Sequence, residues 1–308
     1  MGQVTLTVVD AAGLAPYAAE LAALEASITY PLDDGRDRFA IDHGAAYHPF
    51  FSALGDPRFL VALDDGRVVG SVAGVFRDAY EPGGHRPGVY LCDFKIAPSH
   101  RGTGLGRRMA AHALWRAATD RSLWRWHLAW AAAMRGERGD VMRSARGLHA
   151  GQLLRPEATL AVYFTPAATL AALDPRDCPA PPAAPGLDLS PTVTQHGRGP
   201  GVTTTAGRKD LRLVSTGNPW PLHHLTLGPR DWAPSWGHWL RACGEYVGAR
   251  DRGDAITCFT LDRRLSDHLA WLEAQGVAPG AACTVYVLRI PWLRAPETAW
   301  VHLSPSEI

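Results

Sequence analysis

A seven-residue stretch, RGTGLGR, combines residue types that bind phosphate. Arg101 and Arg107 enclose glycines at 102, 104 and 106, between an alternating segment and a helical pattern. Because glycine has no Cβ, its backbone N–H groups can approach a ligand closely. The first N–H groups of a helix also lack internal partners and lie at the positive end of the helix dipole. The stretch is therefore predicted to bind phosphate or pyrophosphate, with the arginines adding charge-assisted hydrogen bonds.

The spacing of these glycines differs from that of two common phosphate-binding motifs. A Walker A loop needs four residues between its glycines and then Gly-Lys-Ser/Thr. The dinucleotide fingerprint needs Gly-x-Gly-x-x-Gly, usually on the first strand of a parallel unit. Here the spacing is Gly-x-Gly-x-Gly, after what counts as the fourth strand. The stretch matches neither motif.

The periodicity of apolar residues predicts the elements that position this loop. Alternation over Val89–Ala97 predicts a strand that enters it, and helical spacing over about Leu105–Ala118 predicts a helix that leaves it. An Asp-Gly pair at 65–66, between two β-rich runs, predicts a hairpin. The other predicted strands are Val4–Asp10, Leu123–Ala133, for which a helix is the alternative, and Ala158–Phe164. The other predicted helices are Leu14–Ile28, a broken helix over Arg38–Leu54 and a short helix ending at Gly147.

A change of composition divides the chain. Leu173–Pro191 is rich in proline and has few periodic apolar positions, which is typical of an extended linker rather than of a core. A pattern of helix, strand, helix and strand resumes near Leu211. We therefore predict a first domain over 1–172, a Pro/Gly-rich linker over 173–210 and a second α/β lobe over 211–308.

A weak internal repeat connects the two parts. Residues 139–166 and 265–291 each contain an Asp near the start of a short helix, a Gly that ends it, an alternating strand and a final Pro. This order indicates a duplicated half-domain. The alternative is a chance likeness of the kind that any α/β protein offers.

The bulk composition argues against several classes of protein. A formal net charge of +1 provides no basic field for nucleic acid. No apolar run approaches the roughly 18 residues that cross a bilayer, and the N-terminus lacks the pattern of a signal peptide. The five cysteines form no C-x-x-C pair and the histidines show no ligand spacing. We expect a cytoplasmic protein with reduced thiols, no metal, and no nucleic-acid or membrane partner.

The glycine-rich stretch resembles motif A of the GCN5-related N-acetyltransferases, the GNAT family. Arg101, Gly104 and Gly106 fill its signature, Arg/Gln-x-x-Gly-x-Gly/Ala after a strand that ends near a proline. The segment YLCDFKIAPSHRGTGLG is similar to the same stretch of polyamine acetyltransferases, and the order of elements over residues 3–165 also fits. The resemblance implies an α/β (α+β) fold with a mixed, mostly antiparallel sheet flanked by helices. It also implies transfer of an acetyl group to an amine of a small molecule.

Acetyl-CoA, or another acyl-CoA, is the co-substrate that the resemblance implies. Its pyrophosphate would lie on the loop amides, and its pantetheine arm would run beside the preceding strand as an added strand does. An amide near Phe94–Lys95 would polarise the thioester carbonyl. The residues implied in binding are Phe94, Lys95, Ile96, Arg101, Gly102, Thr103, Gly104, Leu105, Gly106 and Arg107.

The catalytic residues depart from the family pattern. Many members carry a Glu base on this strand, whereas the equivalent places here are Tyr90 and Cys92. Asp93 is the only carboxylate on the strand. It is a candidate base, directly or through water, with Tyr90 beside it. The other interpretation is an Asp that fixes a neighbouring loop.

A second departure concerns the acid that protonates the leaving thiolate. Arg143 stands where the family usually has a Tyr, and His127, His149 and Tyr163 are the candidate substitutes. An intact phosphate loop beside an altered strand is also what a non-catalytic acyl-CoA-binding or regulatory protein would have, which is the alternative function. Acetylation of protein termini or lysines ranks last, because nothing in the sequence marks a peptide groove.

Acidic and aromatic residues give weaker indications of the acceptor. Asp33–Asp37 lies where the family's substrate loop would be and would favour a cationic amine. The tryptophans at 115, 124, 126 and 130 are predicted to pack in the core and at the lobe interface rather than to form a cation cage.

The second lobe has no copy of motif A. TLGPRDWAPSWGHW stands in its place, with prolines and tryptophans that block close approach of a ligand to the backbone. A degenerate GNAT-like lobe without CoA is therefore predicted. It would cover the edge of the first sheet, complete the substrate cleft or mediate homodimerisation.

Overall fold

A computed structural model describes residues 4–32, 37–136, 139–140, 155–190, 201–205, 207–232, 235–251, 255–289 and 297–308. The first part of the chain forms β1 (Thr5–Asp10), α1 (Ala18–Ala26), β2 (Tyr30–Leu32), β3 (Asp37–Asp42), α2 (Pro49–Leu54), β4 (Asp56–Asp64), β5 (Arg67–Glu81), β6 (Gly84–Ile96), α3 (Leu105–Thr119), β7 (Leu128–Gly136), β8 (Gly139–Asp140) and β9 (Arg155–Pro166). It ends with α4 (Ala167–Ala171).

Shorter strands and two further helices follow. They are β10 (Leu187–Asp188), β11 (Val202–Thr203), β12 (Asp210–Leu213), β13 (Leu222–Leu225), α5 (Trp236–Arg250), β14 (Ile256–Asp262), α6 (Ser266–Ala274), β15 (Ala281–Arg289) and β16 (Val301–His302). The helix, strand, helix and strand predicted after Leu211 are thus confirmed as α5, β14, α6 and β15. No helix among the described ranges is both long and apolar enough to span a bilayer.

One mixed sheet forms the centre of the molecule, in the order β1-β4-β5-β6-β7-β15-β9-β14-β13-β11. Most pairs are antiparallel, while β6–β7 and β13–β14 are parallel. The predicted class, a mixed and mostly antiparallel sheet flanked by helices, is confirmed. Helices α1 and α2 pack on one face with the largest apolar cluster, and α3 packs on the other face against Leu60, Ala62 and Val69.

Strands from the two predicted lobes alternate in this sheet. Strand β15 pairs with β7 on one side and with β9 on the other, both antiparallel. The division at 172 and 211 stays a prediction, but residues from both sides of it complete one sheet. Within the predicted linker, Leu187, Leu189 and Ser190 are fully buried, and β10 pairs with β16 and β5. The prediction that this part lies outside the core is wrong, because its few apolar residues find distant partners.

The prediction for Arg38–Leu54 is wrong in its first half and right in its second. Asp37–Asp42 is strand β3, which pairs with β2 and with β12 in a separate three-stranded sheet. A helix begins only at Pro49, after Gly44 with φ of 73°. The partner strand β12 is distant in sequence, so local periodicity could not indicate it. The predicted hairpin is confirmed, with positive φ at both Asp65 and Gly66.

Candidate functional site

The glycine loop connects the end of β6 to the start of α3, as predicted. Gly102 and Gly104 have φ of 77° and 82°, in the left-handed region that disfavours side chains. A Cβ built on either glycine would meet no atom within 4 Å, so open space lies beside this backbone. The amide of Arg108 bonds to the Gly104 carbonyl at 3.1 Å, which begins the helical ladder. The preceding amides are the ones that a helix leaves without internal partners.

Gly106 serves a different purpose, which is close packing. A Cβ there would lie 3.1 Å from Ile96 Cδ1 and 3.2 Å from Phe94 Cζ. The first turn of α3 therefore lies directly against the end of β6. Phe94 keeps 43% of its surface exposed beside this contact.

Polar side chains of the loop bond to backbone carbonyls before it, while the charged groups of its arginines remain exposed to solvent. Thr103 Oγ1 donates to the His100 carbonyl at 2.7 Å, and Arg101 Nε donates to the Ile96 carbonyl at 3.3 Å. His100 Nε2 lies 3.0 Å from Asp64 Oδ2, which ties the loop to the β4–β5 hairpin. Arg101 and Arg107 are both exposed. An anion at the loop would therefore have two exposed cations beside it.

Strands β6 and β7 separate beside this loop. Their parallel pairing runs from Gly88 opposite Leu128 to Leu91 opposite Ala131, although both strands continue. Beyond that point β7 stays paired with β15, through Met134 opposite Cys283. Phe94, Lys95 and Ile96 therefore present one backbone edge to a gap between strands. An extended chain with amide groups can pair with such an edge.

A β-bulge lies at the start of this gap. Asp93 has φ of 57°, and the register of β6 against β5 shifts between Ser71 opposite Lys95 and Ala73 opposite Cys92. Beyond the bulge the side-chain alternation is reversed. Lys95 accordingly points to the α1 and α2 face, and Phe94 points to Gly106 of α3. In a regular strand the side chains of Tyr90 and Asp93 would point to opposite faces, so both could act on one substrate only if the strand is irregular. The bulge at Asp93 provides this irregularity.

Asp93 belongs to a buried hydrogen-bonded network. Its carboxylate accepts from Lys95 Nζ and from Tyr47 Oη. Lys95 Nζ also lies 2.5 Å from Glu25 Oε1, and His43 Nδ1 lies 2.7 Å from the same oxygen. The side chain of Lys95 is 1% exposed. One ammonium therefore joins two carboxylates inside the protein.

The network fixes the charges of its members. Burial raises the pKa of Asp93, but the nearby charges of Lys95 and His43 and the hydrogen bonds from Lys95 and Tyr47 outweigh it, so the pKa is lowered. Burial likewise lowers the pKa of Lys95, yet Asp93, Tyr47 and Glu25 hold it well above its usual value. Burial and the Asp93 charge raise the pKa of the Tyr47 hydroxyl well above 10.0. Asp93 and Lys95 are consequently both ionised at neutral pH.

Tyr90 makes structural contacts. It is 2% exposed, its ring stacks on Trp130 at 6.0 Å between centroids, and its hydroxyl donates to the backbone carbonyl of Glu307. The Arg77 guanidinium lies 5.3 Å from the ring centroid. Burial raises the pKa of this hydroxyl well above 10.0. As a base it would have to ionise in an apolar environment.

Sequence patterns indicated no role for Glu25, His43 and Tyr47. The ligand atoms of Glu25, His43 and Asp93 lie within 4.8 Å of one another, which histidine spacing alone did not indicate. The cation that contacts both carboxylates is the Lys95 ammonium. One signal was available: Glu25 lies in the buried stripe of α1 with Leu21 and Leu24, and a carboxylate there needs a partner.

Other candidate residues lie apart from this network or outside the described residues. Arg143, His149 and residues 33–36 fall in the latter group. His127 is exposed, and Tyr163 stacks on Phe259 at 4.6 Å in a different apolar cluster. Trp130 is buried as predicted, whereas Trp115 and Trp124 are 56% and 61% exposed. The packing predicted for these two tryptophans is wrong, because they lie on and just after the solvent-facing side of α3.

Comparison with known proteins agrees with this geometry. Residues 25–132 match the model of the acetyltransferase (GNAT) family. No curated protein matches the sequence. Saccharomyces cerevisiae N-myristoyltransferase with bound myristoyl-CoA is similar in fold, with a TM-score of 0.54 and 9% identity over 98% of this chain and 86% of that chain. A tandem GNAT protein from the clavulanic acid biosynthesis pathway has a TM-score of 0.49 and 13% identity over 93% of this chain and 98% of that chain.

The match begins at Glu25, in the buried network, and ends at Ala132 in β7, one residue after the last pair between β6 and β7. It therefore contains the loop, the bulge and one wall of the gap. The second GNAT-like lobe stays a prediction. Residues 25–132 form an acetyltransferase domain of the GNAT family.

Proposed function

We propose that this protein transfers an acyl group, in the first instance acetyl, from an acyl-CoA to an amine of a small molecule. The observation that carries the proposal is the glycine loop at the start of α3, placed beside the gap between β6 and β7. The loop offers free amides and two arginines to a pyrophosphate. The gap offers the free edge of Phe94–Ile96 to an extended chain that carries amides. Few ligands other than an acyl-CoA combine both features.

The bulge supports a role in the chemistry. Because alternation is reversed there, a backbone amide near Phe94–Lys95 can point into the gap rather than into the β5 ladder. Such an amide would stabilise negative charge on the thioester oxygen as the amine attacks. The fold-related N-myristoyltransferase was solved with myristoyl-CoA, which favours an acyl-CoA here as well.

We propose Asp93 as the proton acceptor, directly or through water, with Tyr90 beside it. The lowered pKa of Asp93 keeps its carboxylate ionised at every pH above its ordinary value of 3.8, which is the state that a base needs, but it also makes this carboxylate a weaker base. A proton that reaches it would compete with the hydrogen bonds that Lys95 Nζ and Tyr47 Oη already donate to this carboxylate. If this is the base, its titration contributes an acid limb to kcat/KM only below pH 3.8. The limb that belongs to an aliphatic amine acceptor itself would lie near its own pKa, at about 10.

Substitutions at Asp93 separate a base from a residue that only shapes the bulge. If Asp93 is the base, Asp93→Asn, Asp93→Gly and Asp93→Ala should all lower kcat by about 10²-fold or more, the usual share of general base catalysis. If it only shapes the bulge, Asn and Gly should retain most of the rate, because both tolerate a positive φ, and Ala should not. The measurement is kcat against pH for these variants and Tyr90→Phe with an amine that turns over.

A non-catalytic acyl-CoA-binding protein is the second candidate. The favouring observation is that both Asp93 oxygens already accept hydrogen bonds and that the Tyr90 hydroxyl already donates one. Release of free thiol from acetyl-CoA with a panel of amines distinguishes the two. Binding of acetyl-CoA with no amine-dependent release would favour this second function.

Gly104→Val tests the loop. A β-branched residue at φ of 82° is strained, and its side chain would fill the open space beside the amides. We expect acetyl-CoA binding to weaken at least tenfold, about 1.4 kcal/mol, by calorimetry. Gly66→Val is the matched control, because Gly66 has φ of 79°, has no atom within 4 Å of its Cβ position and lies in the β4–β5 turn. An equal affinity for the two variants would contradict the assignment.

A further inference from the structure

A cavity of about 50 Å³ lies on the sheet face opposite α3. Its walls are mostly apolar and include Phe39 of β3, Trp220, Leu222 of β13 and Met134 of β7. A water needs about 10–15 Å³ by this measure, so the space holds roughly three to five heavy atoms. That volume suits a short branched aliphatic group and excludes a large ring system.

The cavity adjoins the gap between β6 and β7. Met134 lies on β7 beyond the last residue paired with β6, so it stands on the wall of the gap and of the cavity at once. Lys209, another lining residue, donates to the backbone oxygens of Ser306 and Ile308. Glu307, which lies between Ser306 and Ile308 in the chain, accepts a hydrogen bond at its backbone carbonyl from the Tyr90 hydroxyl of β6. The same C-terminal segment therefore contacts both the cavity and β6. The glycine loop and α3 lie on the opposite face of the sheet from the cavity. A molecule in the cavity would therefore approach the acyl group from the sheet face opposite the one that holds the CoA pyrophosphate.

The polar groups of the cavity define what it would accept. None of its described lining residues is an aspartate or a glutamate, and its only charged side chain is Lys209, which already donates to Ile308 O at 2.9 Å. Buried His224 has an Nδ1 atom that lacks any hydrogen-bond partner among the described residues. Burial and the Lys209 charge lower the pKa of this imidazole to about 3, so it is neutral. A second ammonium placed in this cavity would be desolvated and close to Lys209, with no Asp or Glu side chain among the described lining residues to pair with it.

We propose that this cavity receives the apolar part of the acceptor, and that the acceptor is a monoamine with a short branched aliphatic substituent rather than a polyamine. This inference rests on the proposed acyl transfer. The substituent would lie between Phe39, Trp220 and Leu222, with any polar atom it carries opposite His224. The amino group would remain at the end of the cavity nearest β6. From the sequence, we expected the acidic segment Asp33–Asp37 to favour cations. Asp37 does not line the cavity; it is half-buried and accepts a hydrogen bond from Ser215.

Isobutylamine, methylamine and spermidine are the probes that test this. In wild-type protein saturated with CoA, calorimetry should show that isobutylamine binds at least tenfold more tightly than methylamine and than spermidine. Leu222→Phe should fill the cavity and remove the advantage of isobutylamine. Methylamine is the internal control, because it is too small to use the cavity and its binding should not change.

The outcomes separate this inference from the function on which it rests. Equal affinity for the three amines, tighter binding of spermidine, or an isobutylamine advantage that survives in a folded Leu222→Phe variant would each overturn the acceptor assignment. If acetyl-CoA binds as expected in those cases, the proposed acyl transfer is unaffected. Failure of the wild-type protein to bind acetyl-CoA would overturn both.

Discussion

Glu307→Gln is expected to lower the free energy of unfolding by about 3–5 kcal/mol, the usual result of leaving one charge of a buried pair alone. The Arg77 and Glu307 side chains are 3% and 0% exposed and form an ion pair. Arg77 Nη2 also donates to the Leu189 carbonyl at 2.5 Å, while its Nε and Nη1 have no partner among the described residues. Gln would keep the shape of the Glu307 side chain but remove its charge. Among the described residues, Glu307 is the only one with a carboxylate within 4.0 Å of the Arg77 guanidinium.

Urea unfolding of the single and double variants measures this effect. Replacing both residues with methionine should recover much of the loss, because a buried pair is often no better than apolar residues of similar volume. A loss below about 1 kcal/mol for Glu307→Gln, typical of an exposed pair, would contradict the buried location. The pair joins β5 to the segment after β16, so the same variant should also loosen the contact between that segment and Tyr90.

Lys95→Met should have the second large effect. It would leave the buried carboxylates of Asp93 and Glu25 without the ammonium that contacts both. We expect a loss of about 3–5 kcal/mol at neutral pH. The pKa of Asp93 should rise, because burial would remain while the Lys95 charge and hydrogen bond would be gone.

The pH dependence has a defined sign. In wild-type protein the lowered pKa of Asp93 contributes stability that is present above 3.8 and is lost as pH falls through the folded-state value. In Lys95→Met that contribution should vanish or reverse. The difference in free energy of unfolding between wild-type protein and variant should therefore become smaller as pH falls. Asp93→Asn with Lys95→Met should recover part of the loss, through a coupling that a double-mutant cycle measures. Additive losses would show that the two side chains do not interact.

Local sequence patterns were sufficient for the loop and its flanking elements. Glycines at fixed positions, an alternating run before them and helical spacing after them involve only neighbouring residues, and β6, α3 and the β4–β5 hairpin follow that expectation. The bulge at Asp93 could not be predicted in this way, because a register shift is defined only relative to the partner strand. Its existence nevertheless decides which way Lys95 and Phe94 point.

Distant pairings account for most of what the sequence did not predict. β3 is held by β12, more than 160 positions later in the chain, and β15 is inserted between β7 and β9. The partners of Lys95 come from α1 and from the segment before α2, so no local spacing could show the network. The cavity likewise combines residues from both predicted lobes, such as Phe39 and His224.

A crystal structure of the protein soaked with acetyl-CoA is the most direct test of the central claim. We expect pyrophosphate density on the amides of Gly102–Arg107, with the pantetheine arm between β6 and β7 along Phe94–Ile96 and the thioester at the Asp93 bulge. The same density in the second part of the chain, near Trp232 and Trp236, or an empty loop in a protein that binds acetyl-CoA in solution, would contradict it.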